Sequence, residues 1–393
     1  MHASDILLRC LANVLAPMHA ARRRRLLHAV NALIGGRRLT LTDLARSWPG
    51  AIWIHAPLKA LDRLLSNVHL SGAVHALHRS MAAWLLIGRQ PVILVDWTDL
   101  KGYAHGCVLR AAVPVGGRAL TLYEQVYPIE QLSKPAVQAD FLRSLKAVVP
   151  DSVRPIVVTD AGFRSDWCRD VVACGWHYVA RIRHNTQVCA RGGSWQGCKS
   201  LFELVGASPK DLGRFDIVKR DPMRCRMLLA GSKRPREQLP LPRIRSSSKK
   251  ACKAAREPWL LATTLPARGY TAAQVMKIYG HRMQIEEAFR DLKSHRFGVG
   301  FEDSLTRKRE RITILLLLHT LATFAAWAAG CAGEKADLSD PLTRQSTQRK
   351  RYSAIRRGFE WLRLGQLNLT HLIGWLKTHP PRSPPRCAAG AHS

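Results

Sequence analysis

Two short apolar runs, PVILVD at residues 91–96 and RPIVVTD at 154–160, each close on an aspartate. Runs this short and this uniformly apolar suit strands buried on both faces, which occur in α/β sheets covered by helices. Between them lie two longer segments, GYAHGCVLRAAVPV and RALTLYEQVYP, separated by Gly116 and Gly117, and then AVQADFLRSLKAVV, which has helical period. The first run and these two segments predict three antiparallel strands. A helix, SDWCRDVVACG, and a strand, HYVARIR, follow the second run.

The order strand, strand, strand, helix, strand, helix, strand implies an α/β fold with a ribonuclease-H-like core, a mixed sheet flanked by helices. Around it the chain divides by pattern. Residues 1–85 read as a helical DNA-binding domain, 86–183 as the first part of the catalytic core, and 184–270 as a basic, β-rich insertion whose least regular part spans about 231–257. Residues 271–330 read as the second part of the core, and 331–393 as a basic C-terminal tail that is disordered at its end. Within the first domain, LTLTDLARSWPG, capped by Thr42, and APLKALDRLLSN fit either a helix-turn-helix or a plain helical bundle.

Lys and Arg number 61 against 28 acidic residues, a formal charge of +33. So much like charge repels itself unless a polyanion is bound, so nucleic acid is the expected partner. Ten cysteines contain no Cys-x-x-Cys pair, which argues against a zinc ribbon and fits reduced thiols. The N-terminus lacks the pattern of a secretory signal, and a cytoplasmic protein is expected. The run at 312–330 is long enough to span a bilayer, but His319, Thr313, Thr320 and Thr323 interrupt it, so a buried helix and no membrane association are expected.

Asp96 and Asp160 end their predicted strands, where side chains meet the mouth of an α/β site. Asp99 is the rival to Asp96, which is preferred because it directly ends the apolar run. Two aspartates with one further acid make a suitable cage for Mg²⁺. The third acid comes from KIYGHRMQIEEAFRDLKSH. Read as one helix, it carries Tyr279, Arg282, Glu286 and Lys293 within an arc of about 60°, beside an apolar stripe of Ile278, Ile285, Phe289 and Leu292. Glu287 falls off that arc.

Tyr-x2-Arg-x3-Glu-x6-Lys resembles the signature of the insertion-sequence-four family of bacterial DDE transposases, the group of the transposon five and transposon ten enzymes. LVDWTDL at 94–100 and VTDAGFR at 158–164 are similar to the family's two Asp motifs, and GRALTLYEQVYP at 117–128 is also similar. The resemblance implies a DNA transposase with Asp96, Asp160 and Glu286 as catalytic, metal-binding residues. It implies two Mg²⁺ ions, with Mn²⁺ able to substitute, and cut-and-paste chemistry through a hairpin. Tyr279, Arg282 and Lys293 would hold DNA phosphates, and Trp259, in PWLLATTLP, would receive a flipped base. A tryptophan packed in a strand is the plainer reading of Trp259.

The implied partners are double-stranded DNA, as terminal inverted repeats and as target, and a second subunit in a synaptic homodimer at the bacterial nucleoid. A ribonuclease-H-like nuclease without strand transfer and a noncatalytic basic DNA-binding protein are the alternatives.

Overall fold

The structure is a computed structural model that describes residues 1–88, 90–100, 106–231, 257–342 and 352–381. Most of the basic stretch at 231–257 and the Pro-rich end therefore lie outside the described residues. The chain forms two compact units, Met1–Val153 with Met283–Ser393, and Arg154–Arg282. These boundaries differ from the segments read by pattern. Ten strands and thirteen helices stand among the described residues, an α/β fold of the ribonuclease-H-like class.

The first unit opens with six helices, α1 (Ala3–Cys10), α2 (Ala12–Leu15), α3 (Ala20–Gly36), α4 (Leu41–Arg46), α5 (His55–Leu65) and α6 (Val68–Leu85). α4 is capped by Thr40, whose side chain accepts from the Asp43 amide, so the cap stands two residues before the expected Thr42. Three antiparallel strands follow, β1 (Val92–Leu100), β2 (Gly106–Pro114) and β3 (Ala119–Pro128), in the order β3-β2-β1, and then α7 (Pro135–Val148). β1 runs past its apolar part to Leu100, because Trp97, Thr98 and Asp99 keep pairing with β2. Asp96 therefore lies inside the strand and does not end it.

In the second unit β4 (Ile156–Thr159) pairs in parallel with β5 (His177–Arg181), with α8 (Ser165–Ala173) between them in sequence. Buried Trp167, Cys168 and Val171 turn α8 onto β5. The segment expected to be a β-rich insertion forms strands over much of its described length. β6 (Gln187–Ala190), β7 (Gln196–Gly197), β8 (Lys210–Ile217), β9 (Met223–Ala230) and β10 (Trp259–Thr263) extend the sheet in the order β4-β5-β10-β9-β8-β6-β7. The unit closes with α9 (Ala272–Gly280), which packs on β5 and β9.

The expected single helix over 271–295 is broken. α9 ends at Gly280, and α10 (Met283–Lys293) begins after a two-residue turn. At the junction the amides of His281 and Arg282 bond three residues back, to Ile278 and Tyr279, which tightens the last turn. Gly280 is a poor helix former at that point. The arc computed for one continuous helix therefore does not carry across the break: Tyr279 belongs to α9, Arg282 to the turn, and Glu286 and Lys293 to α10.

The first unit is built around α11 (Arg309–Lys335). This helix is long and apolar enough to cross a membrane, yet 89 % of its most apolar stretch is buried inside the protein. It contacts α1, α3, α5, α6 and β3, and behaves as a core helix. The C-terminal stretch expected to be a tail supplies two more of its neighbours, α12 (Ala354–Arg363) and α13 (Leu369–Thr378). Ile355, Phe359 and Leu362 recur at helical spacing, and Trp361 and Trp375 are almost fully buried, so the basic composition hid an amphipathic pair.

α11 and α12 cross at glycines. A Cβ on Gly358 would overlap the Ala326 carbonyl oxygen, and one on Gly330 would overlap the Ala354 carbonyl oxygen. Gly358→Ala should gain up to ~1 kcal/mol in helix propensity. Forcing the backbones apart should cost about 2–3 kcal/mol or more, so the net effect is destabilising. A urea midpoint equal to or above that of the wild type would contradict the close crossing.

Candidate active site

In the first unit, Asp96 on β1 and Glu286 on α10 line one open pocket of about 630 Å³, together with Asp99, Lys293, Glu302 and Asp303. The two carboxylates are 190 positions apart in the chain and both are partly exposed. Their meeting follows from the apolar stripe of α10: Ile285, Phe289 and Leu292 are buried, and the helix packs against all three strands of the meander. One oxygen of Asp96 accepts from the Trp97 amide at 2.8 Å, which fixes its rotamer.

Asp99 is engaged differently. Lys293 Nζ donates to its carboxylate at 3.1 Å and also to its backbone carbonyl, and Glu302 lies 3.9 Å from the same ammonium. Lys293, expected to hold phosphate, here neutralises acids at the pocket's edge. Glu287, set aside by the helical arc, indeed turns elsewhere, toward Arg118 at 3.7 Å and toward Arg290.

The second unit gathers the remaining candidates. Asp160 follows the end of β4, and its Oδ1 accepts from the Gly162 amide at 2.8 Å. A Cβ on Gly162 would stand 3.0 Å from that oxygen, so the glycine lets the turn close on the carboxylate. Tyr279 is 2 % exposed. Burial pushes its hydroxyl above the usual range, Arg282 and Arg181 oppose this, and Asp160 adds to the rise. The Arg282 guanidinium lies 6.0 Å from the Tyr279 ring centroid, within cation–π range.

Trp259, half-buried at the start of β10, meets the Tyr279 ring edge-on at 5.0 Å. Trp259, Tyr279, Arg282 and Asp160 thus form one neighbourhood. Beside it a cleft of about 720 Å³ begins at Ala161 and is lined by Arg164, Arg181, Arg183, Lys219 and Arg220.

A pair that sequence reasoning missed supports the first pocket. Arg110 on β2 stands opposite Glu124 on β3 and donates to its Oε2 through Nε at 2.9 Å and Nη2 at 2.6 Å, with both side chains buried. Thr320 Oγ1 donates to the other carboxylate oxygen at 2.8 Å. Arg110 is also the cross-strand partner of Asp96, and its guanidinium lies 4.9 Å from the Phe289 ring, one turn beyond Glu286. The signal was available: one Arg inside LRAA and one Glu inside LYEQ, each in an otherwise apolar strand, need each other if both strands are buried.

Among the described residues no three His, Cys, Asp or Glu side chains are grouped closely enough to form a metal cage. The donors of the first pocket nevertheless suit a hard divalent ion in kind, since Asp96 and Glu286 offer carboxylate oxygens in an open, partly solvated cavity.

Known proteins bear on this arrangement. No curated protein matches the chain. A family model described as the transposase DDE domain matches residues 87–325, a span that contains Asp96, Asp160 and Glu286 and covers well over half the sequence. The chain therefore belongs to the transposase DDE domain family.

Proposed function

We propose that this transposase cleaves transposon-end DNA and joins it to target DNA by in-line phosphoryl transfer, with Asp96, Asp160 and Glu286 as its catalytic carboxylates. The observation that carries the reading is the meeting of Asp96 and Glu286 in one pocket from opposite ends of the matched domain. The three carboxylates would hold two Mg²⁺ ions, with Mn²⁺ as a substitute. When bound, such ions activate the attacking water or 3′-hydroxyl and stabilise the leaving oxygen.

The chain's own part is positioning. The basic cleft beside Asp160 suits the phosphates of double-stranded DNA, and contacts of this kind orient a duplex without reading its sequence. Arg282 would hold a phosphate near the cleaved end. Lys293 would do so after exchanging Asp99 for DNA, and Tyr279 would act through its packing on Trp259 and Arg282. The resemblance to the insertion-sequence-four family supports inverted-repeat ends, a cut-and-paste course through a hairpin, and a homodimer that pairs two ends in the bacterial cytoplasm. A nuclease that cuts without joining predicts nicks but no joined product.

The test is a time course on labelled DNA carrying the element's terminal repeats, with Mg²⁺ and target plasmid, scored for nicked, hairpin and joined species. Nicks without joined product would favour the nuclease. The same assay reads Trp259. If its exposed face stacks on a base lifted from the duplex, Trp259→Ala should leave the first nick nearly normal and slow the hairpin step. Stacking worth ~1–3 kcal/mol makes that roughly five- to a hundredfold. Equal slowing of both steps would assign Trp259 to packing against Tyr279 instead.

A further inference from the structure

A second pocket of the first unit, about 310 Å³ in volume, is lined among others by Arg37, Arg118, Arg356, His319, Phe297 and Phe359. Its size falls at the lower end for small-ligand sites. Positive charge is in surplus there: Arg37, Arg118, Arg290 and Arg356 line the pocket against one acid, Asp291, which pairs with Arg118 at 2.5 Å, and the acids just outside it are shared. Glu360 serves Arg37 at 2.6 Å and Arg363 at 2.8 Å, and Glu287 serves both Arg118 and Arg290. Arg356 has no ion pair among the described residues. Burial, with repulsion from Arg356 and Arg363, draws the Arg37 guanidinium below its usual pKa, and a bound anion would relieve that repulsion.

The pocket also has features that an inorganic anion alone would not use. His319 is 5 % exposed, and its buried Nδ1 has no hydrogen-bond partner. A buried polar nitrogen left unpaired costs stability unless something reaches it. Phe297 is 64 % exposed at the rim, and Phe359 lies beneath the Arg37 guanidinium at 5.9 Å. Arg290 lines both this pocket and the one holding Asp96 and Glu286, so the two are neighbours along α10.

We propose that this pocket receives one nucleotide of a DNA strand that passes the Asp96–Glu286 pocket, with its phosphate at Arg356 and Arg37 and its base on the exposed Phe297 ring beside His319. The proposal rests on the reading that the chain acts on DNA. A flat exposed ring together with an imidazole nitrogen favours a nucleobase over an acidic peptide, which would use the arginines alone.

The test uses the full-length protein and twelve-residue single-stranded oligonucleotides in which one 2-aminopurine is moved along the strand. One position should show fluorescence quenching that Phe297→Ala removes. Arg356→Glu should weaken binding about tenfold and lower the slope of log affinity against log salt by about one. Circular dichroism establishes that both variants fold.

Affinity within twofold of wild type in Arg356→Glu, or quenching unchanged in Phe297→Ala, would overturn the proposal. So would displacement of the oligonucleotide by poly-glutamate at equal charge concentration. Cleavage by Asp96→Ala separates the two ideas: wild-type cleavage there, with Arg356→Glu still weakened, would sink the catalytic assignment of Asp96 and leave the nucleotide pocket standing.

Discussion

Replacing Asp96, Asp160 or Glu286 with alanine is expected to lower DNA nicking in Mg²⁺ by at least about a thousandfold, while binding to the same DNA stays within severalfold of wild type. Each change removes a hard oxygen donor, and a thousandfold corresponds to ~4 kcal/mol of transition-state stabilisation, in the range of losses at charge-stabilising sites. Binding persists because it draws on the chain's many arginines and lysines, not on its acids. Asp99→Ala is the informative control. Asp99 is held by Lys293, so its loss should free an ammonium at the pocket's edge and cost no more than about tenfold. If Asp99→Ala were the dead variant and Asp96→Ala the active one, the carboxylate assignment on β1 would have to be exchanged.

That control is needed because the sequence argument for Asp96 rested on a strand end that does not exist. The continuous buried run ends at Val95, and apolar pattern alone reports burial; the backbone pairing that continues to Leu100 depends on β2, which the pattern of β1 does not contain. The buried strand at Ile156–Thr159 was legible because its apolar run is β-branched and too short for a helix. The break at Gly280 was not legible. A helical arc is computed by assuming one straight helix, and a single glycine within nineteen strongly helical residues does not forbid it. α12 was hidden for another reason: Arg356, Arg357 and Arg363 made its ten residues look basic and masked the apolar spacing of Ile355, Phe359 and Leu362. Arg110 and Glu124 were overlooked for a different reason: a charge inside a buried strand is interpretable only once its partner strand is known.

Breaking the Arg110–Glu124 pair should be the most damaging change to stability. Arg110→Ala or Glu124→Ala alone leaves a buried charge without its partner and is expected to cost about 3–5 kcal/mol. Replacing both by apolar residues of similar volume, Arg110→Met with Glu124→Leu, should cost less than either single change, since desolvation of two ions is then no longer required. Urea unfolding of the single and double variants closes the cycle, and additivity within about 0.5 kcal/mol would mean that the two side chains are not coupled. Acid should weaken the same region. Burial alone would raise the Glu124 carboxyl, but Arg110, His78 and Thr320 together hold it below the usual range, so its contribution is present above the unfolded pKa and is lost as pH falls through the folded one. Burial pushes His78 down to about 4 and His319 to about 3, so the unfolded chain takes up protons near pH 6.5 that the folded chain refuses until far lower pH. Stability should therefore begin to fall below about pH 6.5 and continue falling toward pH 4. Glu124→Gln with His78→Asn and His319→Asn should flatten that slope. A wild-type urea midpoint that stays constant between pH 7 and 5 would contradict the buried neutral histidines on which this argument depends.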